Sequence, residues 1–315
     1  MTLKQTSALA VLALLTGGFV GRMGAEQNAS KPNPATQTGI RTFHVQGNVH
    51  LIYGGGANVA VQVGDEGVVV VDTGGPQMGD QVLAAIRRLS TKDIRWIINT
   101  HFHPDHTGGN HTISQAGRTV NGNPAAIIAH EHVLARMTET GRPITERPLN
   151  SFFEESKDFH FNGEAIFIHH IPGAHTDGDS LVYFRGSDVV VAGDIFVTTT
   201  YPVIDAKYGG GVQGFIDGLN KVLDITVPKR LQEGGTYVIP GHGRVGDEAD
   251  VVAYRDMMVF VRDRVRDLIG KGMTIEQVKA AKPTLDYDPR YGSDKGPWTT
   301  AMFVEAVYRD LSQKN

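Results

Sequence analysis

From Ile40 onward, apolar positions fall into short runs broken by Gly, Asn and Pro. The first four, residues 42–45, 49–53, 58–63 and 68–72, are rich in β-branched residues and predict a meander of strands. Residues 77–89 then place Val82, Ala85, Ile86 and Leu89 at the helical period, before the compact run Trp96-Ile97-Ile98. Strand-like runs recur at 125–129, 165–171, 181–184, 189–192 and 237–239, while 215–223, 249–269 and 298–311 read as helices. Two sheets carrying helices on their outer faces satisfy this alternation most economically, because every apolar face must be covered. Two strand-rich halves are expected to meet between His130 and His160.

The segment before this pattern is different in kind. Residues 26–39 are dominated by Asn, Pro, Thr, Ser and Gln and have little to bury, which predicts a flexible arm. Residues 1–25 combine Lys4, an apolar stretch at 7–20 and the small pair Gly24-Ala25 before Glu26, the expectation being a signal peptide removed on export. That stretch is short for a membrane span, so the expected location is periplasmic or secreted, with no membrane attachment after removal. The folded domain is expected to occupy 40–315.

Composition narrows the partners more than the fold. A chain of 315 residues with 40% hydrophobic and 20% charged positions has an ordinary globular balance. A net charge of -4 and the absence of a long Lys/Arg run leave nothing to neutralise a phosphate backbone, which excludes nucleic acid as the expected partner in favour of a small-molecule substrate. With no cysteine, neither a disulfide nor a lipid-anchored cysteine is available.

The chemistry concentrates in His101-Phe102-His103-Pro104-Asp105-His106, directly after a buried apolar run. Residues two apart in an extended or turning loop point the same way, so His101 and His103 can grip one metal ion while Asp105 and His106 face a second. Pro104 biases His103 away from helical geometry and stiffens the loop, and residues 107–110 supply turn residues and a candidate cap for the helix that follows. Three further candidates stand at strand ends: His175 after Pro172-Gly173-Ala174, Asp194 after Ala192-Gly193, and His242 after Pro240-Gly241. Each sits where a rigid scaffold presents functional groups on loops.

This order of residues resembles the metallo-β-lactamase superfamily over about residues 40–245. The resemblance implies an αββα four-layer sandwich, with two Zn2+ ions in the groove at the sheet edges. It places His101, His103 and His175 on the first ion and Asp105, His106 and His242 on the second, with Asp194 bridging and Asp72 orienting a ligand or the loop of Asp105. The implied reaction is hydrolysis of an amide, ester or thioester, such as a β-lactam, lactone or thioester, by attack of metal-bound hydroxide on a carbonyl, with Asp105 in the catalytic group. A bridging aspartate at Asp194 resembles the thioesterases, lactonases and organophosphate hydrolases of the superfamily more than its familiar β-lactamases. The alternatives are a redox non-haem iron enzyme, such as a sulfur dioxygenase, and a noncatalytic metal-binding member.

Outside the motif, Tyr201, Lys207, Tyr208 and Gly209-Gly210-Gly211 suggest a mobile loop over the substrate, with Lys207 or Tyr208 touching an anionic group. Gly54-Gly55-Gly56 reads as a hairpin flap at the groove rather than a phosphate cradle, since no helix follows it. His111 reads as helix surface, and one of His169 and His170 as facing inward from a strand.

Overall fold

The structure is a computed structural model that describes residues 39–313; the expected signal peptide and nearly all of the arm lie outside the described residues. The first sheet holds β1 (Arg41–Gln46), β2 (Val49–Gly55), β3 (Ala57–Gly64), β4 (Gly67–Val71), β5 (Ile94–Ile98), β6 (Ala126–His130) and β7 (Asn150–Phe152) in that spatial order. Its first four strands form the antiparallel meander, and β4 to β7 run parallel. The second sheet, ordered β13 (Gly246–Asp247), β12 (Tyr237–His242), β11 (Val189–Val197), β10 (Asp179–Phe184), β9 (Glu164–Ile171), β8 (Ser156–Phe161), is antiparallel except between β11 and β12. The chain passes between the sheets at residues 153–155, inside the interval expected from the strand pattern.

Period-2 alternation explains how continuous apolar runs become four layers. In Val68-Val69-Val70-Val71, Val69 and Val71 enter the core between the sheets with Ile98, Ile168, Val182 and Val191. Val68 and Val70 instead meet Val82, Ala85 and Ile86 of α1 (Gly79–Leu89), which covers the outer face together with α3 (Asn110–Ala116). The second sheet's outer face packs on α5 (Val212–Ile225), α6 (Glu248–Gly270) and α9 (Thr300–Gln313) through Phe215, Leu219, Met257, Phe303 and Val307. The architecture is the αββα sandwich expected. Among the described residues, no helix is long and apolar enough to cross a membrane.

Several elements depart from the sequence pattern. The strands β7 and β8, α4 (Glu131–Glu139), α7 (Ile275–Ala280) and α8 (Asp288–Tyr291) were not expected; most are short, and β8 is largely exposed, so hydrophobic periodicity marks them poorly. The motif loop is partly helical: Pro104–Thr107 forms α2, with Pro104 in the first turn and His103 extended at φ -61°, ψ 146°. No side chain of residues 107–110 caps α3; Asn110 lies inside it and binds Thr73 and Asn99. Tyr201 does not belong to a loop over the substrate. It is 1% exposed and stacks on Phe303, with ring centroids 4.5 Å apart.

Helix α5 begins pressed against the loop that carries His175. A Cβ on Gly214 would lie 1.9 Å from the Gly173 carbonyl oxygen. Replacing Gly by Ala inside a helix ordinarily gains about 0.5–1 kcal/mol, but the overlap costs about 1–3 kcal/mol. Gly214→Ala is therefore expected to lower the urea midpoint of unfolding; an unchanged or raised midpoint would contradict the close approach.

Candidate metal centre

The loops after β5 and β9, a bulge within β11 and the end of β12 deliver the seven predicted residues to one place. His101, His103 and His175 bring one ligand atom each within 4.8 Å of one another, and so do Asp105, His106 and His242, and His101, His106 and Asp194. Asp194 lies within β11 rather than beyond it, at a bulge where Gly193 adopts φ +50° and the register with β12 shifts. The bulge re-aims the side chain. Asp194 Oδ1 then sits 3.2 Å from His106 Nε2 and 3.5 Å from His242 Nε2, while Oδ2 sits 3.7 Å from His175 Nε2. One carboxylate oxygen faces each triad, as a bridging group must.

Four of the five imidazoles are held by the nitrogen that faces away from the centre. His106 Nδ1–H donates to Asp72 Oδ2 at 2.7 Å, and His175 Nδ1–H to the Val203 carbonyl at 2.6 Å. His103 Nε2–H donates to Asp205 Oδ2 at 3.0 Å. His101 Nδ1 lies 3.1 Å from Thr100 Oγ1, which itself donates to Asp72 Oδ2 at 2.7 Å. Protonating the outer nitrogen leaves a lone pair on the inner one, the form a cation requires. Asp72, with backbone at φ +60°, also accepts the Thr100 amide at 2.8 Å, so one buried carboxylate orients two ligands.

Inside the centre, His101 Nε2, His106 Nε2 and Asp194 Oδ1 are fully buried without a hydrogen-bond partner. Buried polar atoms are rarely left so. Burial opposes charge on His106, but Asp194 and Asp72 on either side outweigh it and raise its pKa well above 6.5. The two carboxylates thus call for positive charge at that point, which a divalent cation would supply in place of a proton. Burial also acts against Asp194, yet His106, His242 and His175 hold its carboxyl well below the usual range. Asp105 falls to about 2 against burial, through its hydrogen bond with His242 and the nearby His106. Burial first, then neighbouring rings, lowers His101 well below 6.5, and burial takes His175 to about 4. Nitrogen and carboxylate donors with bare inner atoms fit a pair of borderline divalent cations.

Sequence reasoning missed Asp205, the Val203 carbonyl and Thr100, the outer partners of three histidines. Asp205 lies in the 201–211 segment singled out for a substrate role, but nothing local marks an acid there as a histidine partner. Lys207 Nζ and Tyr208 Oη are 2.8 Å apart, and the Tyr208 ring packs 4.8 Å from Phe102, beside His103. The hairpin at Gly55-Gly56 borders the same loop: the Gly55 carbonyl accepts the Gly75 amide at 2.8 Å, and Gly56 lies beside Asp105. His111 is exposed on α3.

A two-sheet sandwich with helices on both faces and a histidine-aspartate cluster at one edge defines the scaffold of metallo-hydrolases. The chain belongs to the metallo-beta-lactamase superfamily, whose sequence profile matches residues 52–242. It is 23% identical over 273 residues to a linear primary-alkylsulfatase of Pseudomonas sp. (strain ATCC 19151), covering 71% of this chain and 50% of that protein. It is 28% identical over 148 residues to metallo-beta-lactamase domain-containing protein 1 of Rattus norvegicus, covering 45% and 51%. The chain thus spans about half the length of these curated relatives. Among solved structures, the stereoselective inverting sec-alkylsulfatase Pisa1 from Pseudomonas sp. superposes with a TM-score of 0.63 at 16% identity, over 86% of this chain and 50% of that one. A metallo-beta-lactamase from Pontibacter korlensis superposes at 0.56 and 16% identity, over 70% and 99%.

Two outcomes follow from the outer partners and the buried rings. Asp205→Ala frees the His103 ring and is expected to weaken cation binding at the His101, His103 and His175 triad about 10–100-fold, read by competition with a chromophoric chelator. In metal-free protein, His175 stays neutral in the fold down to about pH 4 but takes a proton near 6.5 when unfolded. Its contribution is present above pH 6.5 and lost as pH falls toward 4. His175→Gln should flatten that part of the stability profile by on the order of 3 kcal/mol; an unaltered slope in denaturant titrations would refute the assignment.

Proposed function

We propose that this chain is a zinc-dependent binuclear hydrolase of small amide, ester or thioester substrates. The observation that carries the reading is the convergence of seven side chains from four separate segments, with four outer ring nitrogens tethered and three inner atoms, His101 Nε2, His106 Nε2 and Asp194 Oδ1, bare. Two divalent cations bound here would supply Lewis acidity and an activated water at neutral pH.

The protein's own part is placement and charge. His101, His103 and His175 would hold one cation and Asp105, His106 and His242 the other, with the Asp194 carboxylate between the two triads. Asp105 remains ionised at neutral pH, so it accepts a proton rather than donating one. Its side chain is 45% exposed, on the open side from which a substrate enters. Lys207 and Tyr208 stand beside the His103 half of the centre, where an anionic substrate group would meet a cation and a phenol. Export rests on the sequence of residues 1–25.

A second reading, hydrolysis of an alkyl sulfate ester, is favoured by one observation. The likeness to the sec-alkylsulfatase extends over 86% of this chain against 70% for the lactamase, so it takes in helices beyond residue 242.

Elemental analysis is expected to give about two zinc ions per chain; iron without zinc would overturn the reading. Asp194→Ala should lower metal occupancy and rate together. A panel of nitrocefin, lactones, S-lactoylglutathione, a phosphotriester and a primary alkyl sulfate ranks the substrates, and turnover of the alkyl sulfate alone would replace the first reading by the second.

A further inference from the structure

Beyond the seven-residue centre, a second group of imidazoles comes together where the two sheets meet. His130 ends β6, His132 lies in the first turn of α4, and His170 is near the end of β9 in the other sheet. Because β6 runs directly into α4, His130 serves as the N-cap at φ -62°, ψ 150°, and its Nδ1 accepts the His132 amide at 3.4 Å. That sharp entry sets the two rings edge to face with centroids 4.8 Å apart. His170 stacks on His130 from the opposite sheet, centroids 3.5 Å apart and planes 7° from parallel.

We propose that His130, His132 and His170 form a further binding site for a divalent transition-metal cation that prefers imidazole, such as zinc, nickel or copper. One nitrogen from each ring lies within 4.8 Å of the others. His130 is 3% exposed, whereas His132 is 44% exposed in its side chain, which provides an entry path and a ring that can swing inward on leaving the Asp177 carbonyl. A tetrahedral ion at about 2.0–2.1 Å from nitrogen needs ligand atoms roughly 3.3 Å apart, a contraction that one rotating side chain can make. The nearest carboxylate, Asp177, is 3.9 Å from His132 and already engaged by Arg136 at 2.6 and 3.3 Å.

Two of the rings are held in the ligand form. Burial, then the neighbouring His170 and His132, pushes His130 down to about 4, and burial lowers His170. Neutral imidazole is the ligand form. His132 Nδ1 and His170 Nε2 now share the Asp177 carbonyl, at 2.9 and 2.8 Å. An ion that gathers the rings competes with that oxygen. Asp177 is in the loop of His175, and its amide donates to the Tyr208 carbonyl at 2.8 Å, so occupancy is linked to the loops that position His175 and Asp205.

The test is calorimetric titration of zinc-loaded full-length protein with zinc and with nickel, alongside dialysis and elemental analysis. One further, weaker ion per chain is expected, lost in His132→Ala and in His170→Asn and retained in Asp194→Ala. His132 is half-exposed, so its variant decides the matter even if His170→Asn fails to fold, as circular dichroism would show. Wild-type protein taking no ion beyond those lost in Asp194→Ala, or His132→Ala keeping the extra ion, would overturn the proposal and leave the trio as a tether for the Asp177 carbonyl. Counting ions in Asp194→Ala separates this outcome from failure of the binuclear reading.

Discussion

An imidazole offers a lone pair toward a cation only when its other nitrogen carries the proton, and the head of this sandwich is organised around that constraint. Asp72, Thr100, Val203 and Asp205 take the outer N–H groups of four histidines, directly or through the Thr100 hydroxyl. Remove those partners and the rings could turn or exchange tautomers, and the inner atoms would no longer point at one place. The fold therefore defines the centre as much through groups that never reach it as through those that do. The unpartnered His101 Nε2, His106 Nε2 and Asp194 Oδ1 are the consequence, buried polarity that a cation would complete.

Close backbone approach is the second requirement, and glycine meets it at the positions that matter. At Gly193 the backbone turns left-handed, and an added Cβ would strike the Thr100 side chain at 2.7 Å. At Gly241 a Cβ would lie 1.9 Å from Asp194 Oδ1. The central carboxylate is thus seated between two glycines, one permitting the bulge that aims it and the other leaving room for it. The parallel β11–β12 pair brings Asp194 and His242 together through its shifted register, in which Gly193 pairs with Pro240 and Val197 with His242.

Residues beyond the family match brace the segment behind the centre. Tyr201 donates to Asp288 at 2.8 Å and to the Thr284 carbonyl at 3.1 Å, and Trp298 Nε1 donates to the Pro202 carbonyl at 3.1 Å. These bonds clamp the segment that supplies Val203 and Asp205. The C-terminal helices therefore support His175 and His103 from behind, which gives a structural reason for a sandwich of this kind to carry them. The shared Asp177 carbonyl places the His130, His132 and His170 cluster in the same network.

Much of this was legible in the chain itself. Alternating and continuous valine runs specify strands buried on two faces, the 77–89 periodicity specifies α1, and three histidines with an aspartate in six positions announce metal chemistry through spacing alone. His175 and His242 were legible from the ends of apolar runs together with the family resemblance, whereas Asp194, read in the same way, sits at a bulge inside β11. What tertiary structure alone decided was pairing across long separations: His103 with Asp205, His175 with Val203, His130 with His170. No local pattern encodes such partners, since a loop carboxylate or a main-chain carbonyl looks alike wherever it falls. The same reason hid the bulge at Gly193 and the burial of Tyr201, which depend on what packs opposite rather than on neighbours in sequence.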